Sequence, residues 1–585
     1  MAAWSQVRPE RVPATGMSDA CAARPGRPTC RRSYDGPVTT SPPLEHPPAE
    51  QEPAVTRQSL RAPLGRDHDG APIRSAAERL AVLLSAGRNA AAVRGWVTAL
   101  LVTGIAAAIR FPGLGNPPGL SFDEIYYAKD GYSLWQTGYE QNWSAEADAG
   151  ILAGIDPHQF MSGAEYVVHP PLGKWVIGFG AQLFGMDAFG WRLMSAVIGC
   201  LSVLVLARMA RRLTRSDVLG GLAGLFLAVD GLAIVMSRFA LLDTQLAFWI
   251  LCGVAALLCD RDWARARLAG SIDSAIGRVV GSGPRMWWRP WRFAAGVAFA
   301  CSIATKWNGL FAFAVFMLLS VAWDFGARKT AGGINVAWTW FRHDVVPAFL
   351  TTVPVAVVIY VGSWIGWIVK PGGYLRDWGD LEPAEGAARV LPDWLRSLWH
   401  YHEEIYRFHT TLTQHHPYQS DPWSWPIAGR PVAIATLFPA PGECGASECD
   451  RVVTALGTPT LWWGACVAVV VCLAIFVGQR DWRFGLPIVG LVATWLPWFT
   501  YSGRPLFYFY AIAMIPFMIL ALVLVAGVLI GPSTASPDRR LLGVTAVAAF
   551  TSMVLVTFWF FYPIYTFQLI SNGDWGLRLW WRTWN

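Results

Sequence analysis

The sequence predicts an all-α polytopic membrane protein. Three observations carry this class. Of 585 residues, 54% are hydrophobic and only 15% charged, where a soluble chain holds about 25% charged residues. Many apolar runs approach or exceed the ~18 residues that cross a ~30 Å hydrocarbon core. The 32 Trp residues gather near the ends of those runs, as in an interfacial aromatic belt. The ~10-residue alternating segments of a membrane β-barrel are not found. The net charge of +7 resides in loops between spans, which argues against nucleic-acid binding and instead sets orientation.

Taken in order, residues 1–80 are rich in Pro, Arg, Ala and Ser. Without apolar periodicity they read as a disordered cytoplasmic tail. They contain no signal-peptide core, and Met17 is an alternative start. The first span, about 95–112, follows Arg88 and Arg94, so its N-terminal end faces the cytoplasm. Residues 113–188 hold nine Asp or Glu against two Lys, which suits the outer face. A second span at about 189–207 ends in RMARRLTR, an inner anchor. Spans at about 218–236 and 241–259 are joined by the short outer turn SRFALLD, and an Arg-rich inner loop follows at 260–292. Residues 293–323 are too long for one ordinary span and short for two, with a break at KWNG, 306–309. A span at about 345–368 completes an N-terminal module, 95–368. A large outer loop, 369–458, precedes four spans within 459–562 and an outer tail, 563–585. The expected count is eleven, with the N terminus inside and the C terminus outside, in the plasma membrane.

That topology gathers Asp123, Glu124, His169, Lys174, Arg238, Asp243, Lys306, His409 and Arg504 at one face. Ionisable residues beside a span are costly and are usually paired or functional. Asp123 and Glu124 lie in LSFDEIYYAKDGY, where the first span has just ended. Carboxylates amid Arg and Lys stay ionised at neutral pH, so one of them could act as a base. Arg110, fourteen residues before Glu124, is either a snorkelling side chain or the partner that locks the acid loop. In HPPLGK, Pro171 suits a first helical turn and sets Lys174 near a helix N-terminus, which favours anions. In MSRFALLDT, Arg238 and Asp243 occupy a turn too short to be much exposed. Lys306 sits at a span break, and irregular backbone at membrane depth must line protein or a water-filled cavity. Two cations at such breaks suggest a phosphate site, against separate structural ion pairs. Cys444 and Cys449 lie in a polar outer loop and form either a disulfide or two free thiols. Five of the ten histidines fall in 399–426, but without a standard ligand pattern, so neither a metal nor another cofactor is expected. The early part of that segment reads as an amphipathic interfacial helix roofing the site.

Together FDE, HPPLGK, SRFALLDT, KWNG and RFHT…HPYQS resemble the protein O-mannosyltransferases, membrane glycosyltransferases of the GT-C class, over about residues 95–585. The chain looks most like their actinobacterial branch. Eukaryotic members carry a β-trefoil MIR domain in the large outer loop; here that loop is too short for one. The resemblance implies a GT-C fold, a polyprenyl-phosphate mannose donor and inverting transfer to Ser or Thr hydroxyls of exported proteins. It implies Asp123 as base beside Glu124, Arg110 as an orienting residue, and Arg238 and Lys306 at the donor phosphate. His169, Lys174, His409 and Arg504 match motif positions of the substrate site. The secretion translocon becomes a candidate partner. Two alternatives stay open: a GT-C enzyme acting on a lipid or cell-wall glycan, and a non-enzymatic transporter, although no internal repeat of the transporter kind is present.

Overall fold

A computed structural model describes residues 90–155, 160–501 and 503–584; the expected tail at 1–80 lies outside the described residues. Helices dominate because apolar stretches in hydrocarbon must satisfy their own backbone groups. Among the described residues, eight helices are long and apolar enough to cross a membrane. They are Ala92–Arg110, Ala188–Thr214, Leu242–Gly270, Gly309–Thr330, Val336–Ser363, Pro459–Gln479, Trp482–Tyr501 and Pro537–Tyr565. A bent pair, Asp217–Ala228 and Gly231–Arg238, makes a ninth, and the shorter apolar helix Ile515–Ile530 stands apart from these. Pro290–Thr305 is likewise short. Eight of these helices, or nine with the bent pair, pass the length and hydropathy of a span, where the sequence reading counts eleven; the two short helices Pro290–Thr305 and Ile515–Ile530 lie where it places the other two.

The bend was not expected. The apolar run at 218–236 hides a 59° break, made by Asp230. Its Oδ1 accepts from the Ala233 amide at 2.9 Å, capping the second piece. Its Oδ2 accepts from Trp462 Nε1 at 2.7 Å and the Thr458 amide at 3.2 Å. A side chain that replaces the next turn's partners stops one helix and starts another. The break at KWNG is visible as well: Lys306 is extended (φ −158°, ψ 135°) between Pro290–Thr305 and Gly309–Thr330. The turn after Arg238 occupies only residues 239–241 before the helix resumes at Leu242.

Within 113–188, two helices, Glu124–Thr137 and Leu172–Phe184, pack backbone to backbone. A Cβ on Gly131 would stand 2.5 Å from the Lys174 carbonyl oxygen, so only glycine allows this approach. The strands Gln141–Trp143 and Phe160–Ala164 pair antiparallel beside them. In 369–458 an amphipathic helix, Asp393–Thr411, buries Leu398, Tyr401 and Ile405 against Val167, Trp364 and Trp367. Its Trp399 and Tyr406 are exposed. Strands Val432–Leu437, Cys449–Ala455 and Leu569–Ser571 form an antiparallel sheet. Cys444 and Cys449 are joined by a disulfide in its hairpin, Cα–Cα 5.8 Å.

The two ends of the long helices differ in chemistry. At one end of Leu242–Gly270 is Asp243; at the other, Asp260 lies about 25 Å away at 1.5 Å per residue. There Arg289 pairs with Asp260 at 2.5 Å and with Asp324 at 2.9 Å, and Arg292 pairs with Asp324 at 2.5 Å. All four are buried. Breaking one buried pair of this kind leaves a lone charge and typically costs about 3–5 kcal/mol. This network ties Leu242–Gly270, Pro290–Thr305 and Gly309–Thr330 together at the end away from Asp243.

Candidate active site

The site begins where the first span stops. Ala90–Arg110 ends with buried carbonyls that need donors. Arg238 supplies them: Nη1 donates to Arg110 O at 2.7 Å and Pro112 O at 2.8 Å, and Nη2 donates to Gly113 O at 2.8 Å. Arg110 does the same for the span break. Its Nη1 donates to Ala228 O at 3.0 Å, Nη2 to Leu227 O at 3.2 Å, and Nε to Ser237 Oγ at 2.9 Å. The two arginines therefore tie the first span to the bent pair.

Glu124 has a different partner from the one expected. The reading that paired it with Arg110 is corrected: Arg192, on Ala188–Thr214, donates to it through Nε at 2.8 Å and Nη2 at 2.7 Å. Arg110 is instead held by the carbonyls that the helix break leaves bare. Glu124 also accepts from the amides of Ala240 at 2.8 Å and Ser121 at 3.1 Å. Arg192 further donates to Pro117 O at 2.8 Å, Gly119 O at 3.1 Å and Leu114 O at 3.3 Å. Glu124 and Arg192 are each 0% exposed. Their pair sets the course of residues 114–124 and has no free face for a substrate.

Asp123 is the half-buried acid. It precedes the first turn of Glu124–Thr137 and makes no capping bond. Phe122 before it adopts φ +55°, a left-handed conformation costing about 1–3 kcal/mol for such a residue. Its ring is held edge-on by Phe509 at 5.5 Å and Phe507 at 6.3 Å. That packing offsets the strain. Tyr127 Oη lies 3.5 Å from Asp123 Oδ2. Burial raises the Asp123 carboxyl to about 6, against the opposing pull of Lys306. It is therefore largely ionised at neutral pH and still basic enough to take a proton.

Around Asp123 stand the cations. Lys306 Nζ donates to Asp243 Oδ1 at 2.8 Å and lies 4.5 Å from the centre of the Tyr510 ring. Arg504 Nη1 donates to His409 Nδ1 at 3.0 Å, and its buried Nε has no hydrogen-bond partner among the described residues. His409 Nε2 lies 2.9 Å from Val168 O. A carbonyl only accepts, so Nε2 carries the proton and Nδ1 is bare for Arg504. Burial holds His409 down to about 4, which keeps that tautomer neutral. His169 stacks on His409 at 5.4 Å and faces Tyr127 at 6.1 Å. Burial and the nearby cations depress it too.

Lys174 is placed elsewhere. It is 1% exposed and pairs with Glu140 at 2.5 Å and Asp130 at 3.3 Å, which fixes the two packed helices of the 113–188 segment. Of the residues singled out from sequence, then, Asp123, Asp243, Lys306, His169, His409 and Arg504 come together. Arg110, Arg238, Glu124 and Lys174 form the frame around them. Sequence reading missed Arg192, Tyr127 and Tyr510. An arginine inside an apolar run was the available signal for Arg192. Among the described residues, no group of three or more His, Cys, Asp or Glu could hold a metal ion.

A helical membrane bundle with an acid at the end of its first span, faced by cations at helix breaks, defines a membrane glycosyltransferase of the GT-C class. A family model described as dolichyl-phosphate-mannose-protein mannosyltransferase matches residues 100–368. The C-terminal four-transmembrane region of protein-O-mannosyltransferase matches residues 394–584. The polyprenol-phosphate-mannose–protein mannosyltransferase of Mycolicibacterium smegmatis (strain MKD8) is 36% identical over 503 residues, 84% of this chain and 93% of that one. The protein of the same name from Mycobacterium tuberculosis (strain CDC 1551 / Oshkosh) is 33% identical over 84% of this chain and 92% of its own. This chain belongs to that family. The S. cerevisiae protein O-mannosyltransferase Pmt1-Pmt2 complex, solved with its sugar donor, shares the fold at TM-score 0.62 and 14% identity, covering 84% of this chain and 92% of that one.

Proposed function

We propose that this enzyme transfers mannose from polyprenyl-phosphate mannose to Ser or Thr hydroxyls of exported polypeptides, with inversion, at the outer membrane face. The observation that carries the reading is Asp123, a half-open carboxyl facing Lys306 across the site that Tyr127 and Tyr510 line. Asp123 accepts the hydroxyl proton as the hydroxyl oxygen attacks the anomeric carbon and the bond to the phosphate oxygen breaks. The transition state is oxocarbenium-like. The leaving group is already a phosphate, so no strong acid is needed. Lys306 and the Arg504 guanidinium stabilise its growing charge. Arg238, which the sequence places at the phosphate, serves here as the cap that shapes the floor. The family's named relatives support this donor class and a protein acceptor. Labelled donor, membranes holding the protein and a Ser/Thr-rich peptide test it: label on the peptide supports the reading, and label on lipid would replace it with the lipid-acceptor enzyme.

The raised acid sets the pH profile. The ionised form is the active one, so kcat/KM holds its plateau above about pH 6 and falls to roughly a tenth of it one unit below the apparent pKa. A profile flat down to pH 5 would remove Asp123 as base. Orientation is testable separately: a reporter fused after Trp584 is expected to read outside the cytoplasm, and a cytoplasmic signal would overturn the eleven-span arrangement.

A further inference from the structure

Beside Lys306 runs a hydrogen-bonded chain that none of the roles above uses. Trp307 Nε1 lies 2.7 Å from Tyr360 Oη, Tyr360 Oη lies 2.6 Å from His402 Nε2, and His402 Nδ1 lies 2.7 Å from Leu398 O. The directions of all three bonds are determined by donor chemistry. An indole N–H only donates and a carbonyl only accepts. Tyr360 therefore accepts from Trp307 and gives its one proton to a bare His402 Nε2, while His402 Nδ1–H donates to Leu398 O. Burial lowers the His402 pKa, which keeps the ring neutral. Trp307 stacks on His402 at 5.8 Å and faces His409 at 5.9 Å. His402 and His409 lie seven residues apart, two turns along the same face of Asp393–Thr411.

We propose that Tyr360 and His402 are positioning residues of the transfer site: one directed hydrogen-bond chain orients Trp307 and so holds the span break that presents Lys306 to the donor phosphate. The inference rests on the assignment of Lys306 given above. The chain joins three separate elements: the break at 306–308, the helix Val346–Ser363 and the roofing helix Asp393–Thr411. On the roofing helix, His402 grips Trp307, and His409 grips Arg504. The two cations are thus registered to one rigid element, and their spacing is set by the helix instead of by two independent loops. Tyr360→Phe deletes a single oxygen and keeps the ring, yet leaves the Trp307 donor and the His402 acceptor unpartnered.

The test uses the purified full chain in detergent, polyprenyl-phosphate mannose as varied donor and a Ser/Thr-rich peptide as acceptor. Tyr360→Phe and His402→Phe are each expected to raise donor KM at least fivefold and to leave peptide KM unchanged. Because the chain acts as a unit, the double variant is expected to match the worse single variant. His402→Gln, whose Oε1 can still accept from Tyr360, is expected to recover donor KM to within twofold. Unchanged donor KM in both single variants overturns the proposal, and so does a double variant whose defect is the product of the two. If His402→Phe does not fold, Tyr360→Phe decides alone. An inert wild type with verified donor overturns the transferase reading itself, whereas an active wild type with unmoved variants overturns only the positioning role.

Discussion

Asp123→Asn is expected to lower transfer by 10²- to 10⁴-fold, the usual contribution of a positioned general base, equivalent to about 3–5 kcal/mol of activation free energy. Asparagine keeps the shape and the approach of Tyr127 but cannot take a proton. The fold is expected to survive, because Asp123 makes no capping bond to its helix and its charge is not part of the Glu124–Arg192 lock. Donor affinity is expected to hold or to tighten, since one negative charge facing the donor phosphate is gone. The loss therefore falls on kcat, with donor KM unchanged or lower. Steady-state transfer with saturating donor checks this, and turnover within tenfold of wild type would remove Asp123 from the chemistry.

Arg192→Ala is the second large effect, and its origin is different. It strips Glu124 of its bidentate partner while leaving that carboxylate 0% exposed, at a cost of about 3–5 kcal/mol. It also frees three carbonyls of residues 114–119. Both losses act on the segment that carries Asp123, so activity and thermal stability are expected to fall together. Arg192→Lys keeps the charge but cannot reproduce the planar fork, and is expected to recover only a small part of either. Thermal unfolding in detergent measured beside transfer checks the coupling. A stable but inactive Arg192→Ala would mean that Arg192 meets the substrate directly.

The two variants separate what the adjacent acids do. Asp123 and Glu124 differ by one residue in sequence and by role in space, because a helix start turns consecutive side chains in different directions. One points toward Lys306, the other into the bundle. Similarly, Arg238 and Lys174, which the sequence offers as cations for a phosphate or substrate site, are held by the protein itself, one by carbonyls of the first span and one by Glu140 and Asp130.

The membrane class, the places of the spans, the break at KWNG and the acid at the end of the first span were determined by sequence alone. Each depends on local quantities: the length of an apolar run, a Gly or Pro in it, and the charge of a short loop. The partners of Glu124, Arg110, Arg238 and Lys174, the bend at Asp230 and the Trp307–Tyr360–His402 chain were decided only by the tertiary structure. The partners that set them lie 34 to 128 residues away along the chain, or, for Asp230, on the far helix at Thr458 and Trp462. A buried charge must find a partner wherever packing brings one, and sequence shows the need for that partner without showing its address.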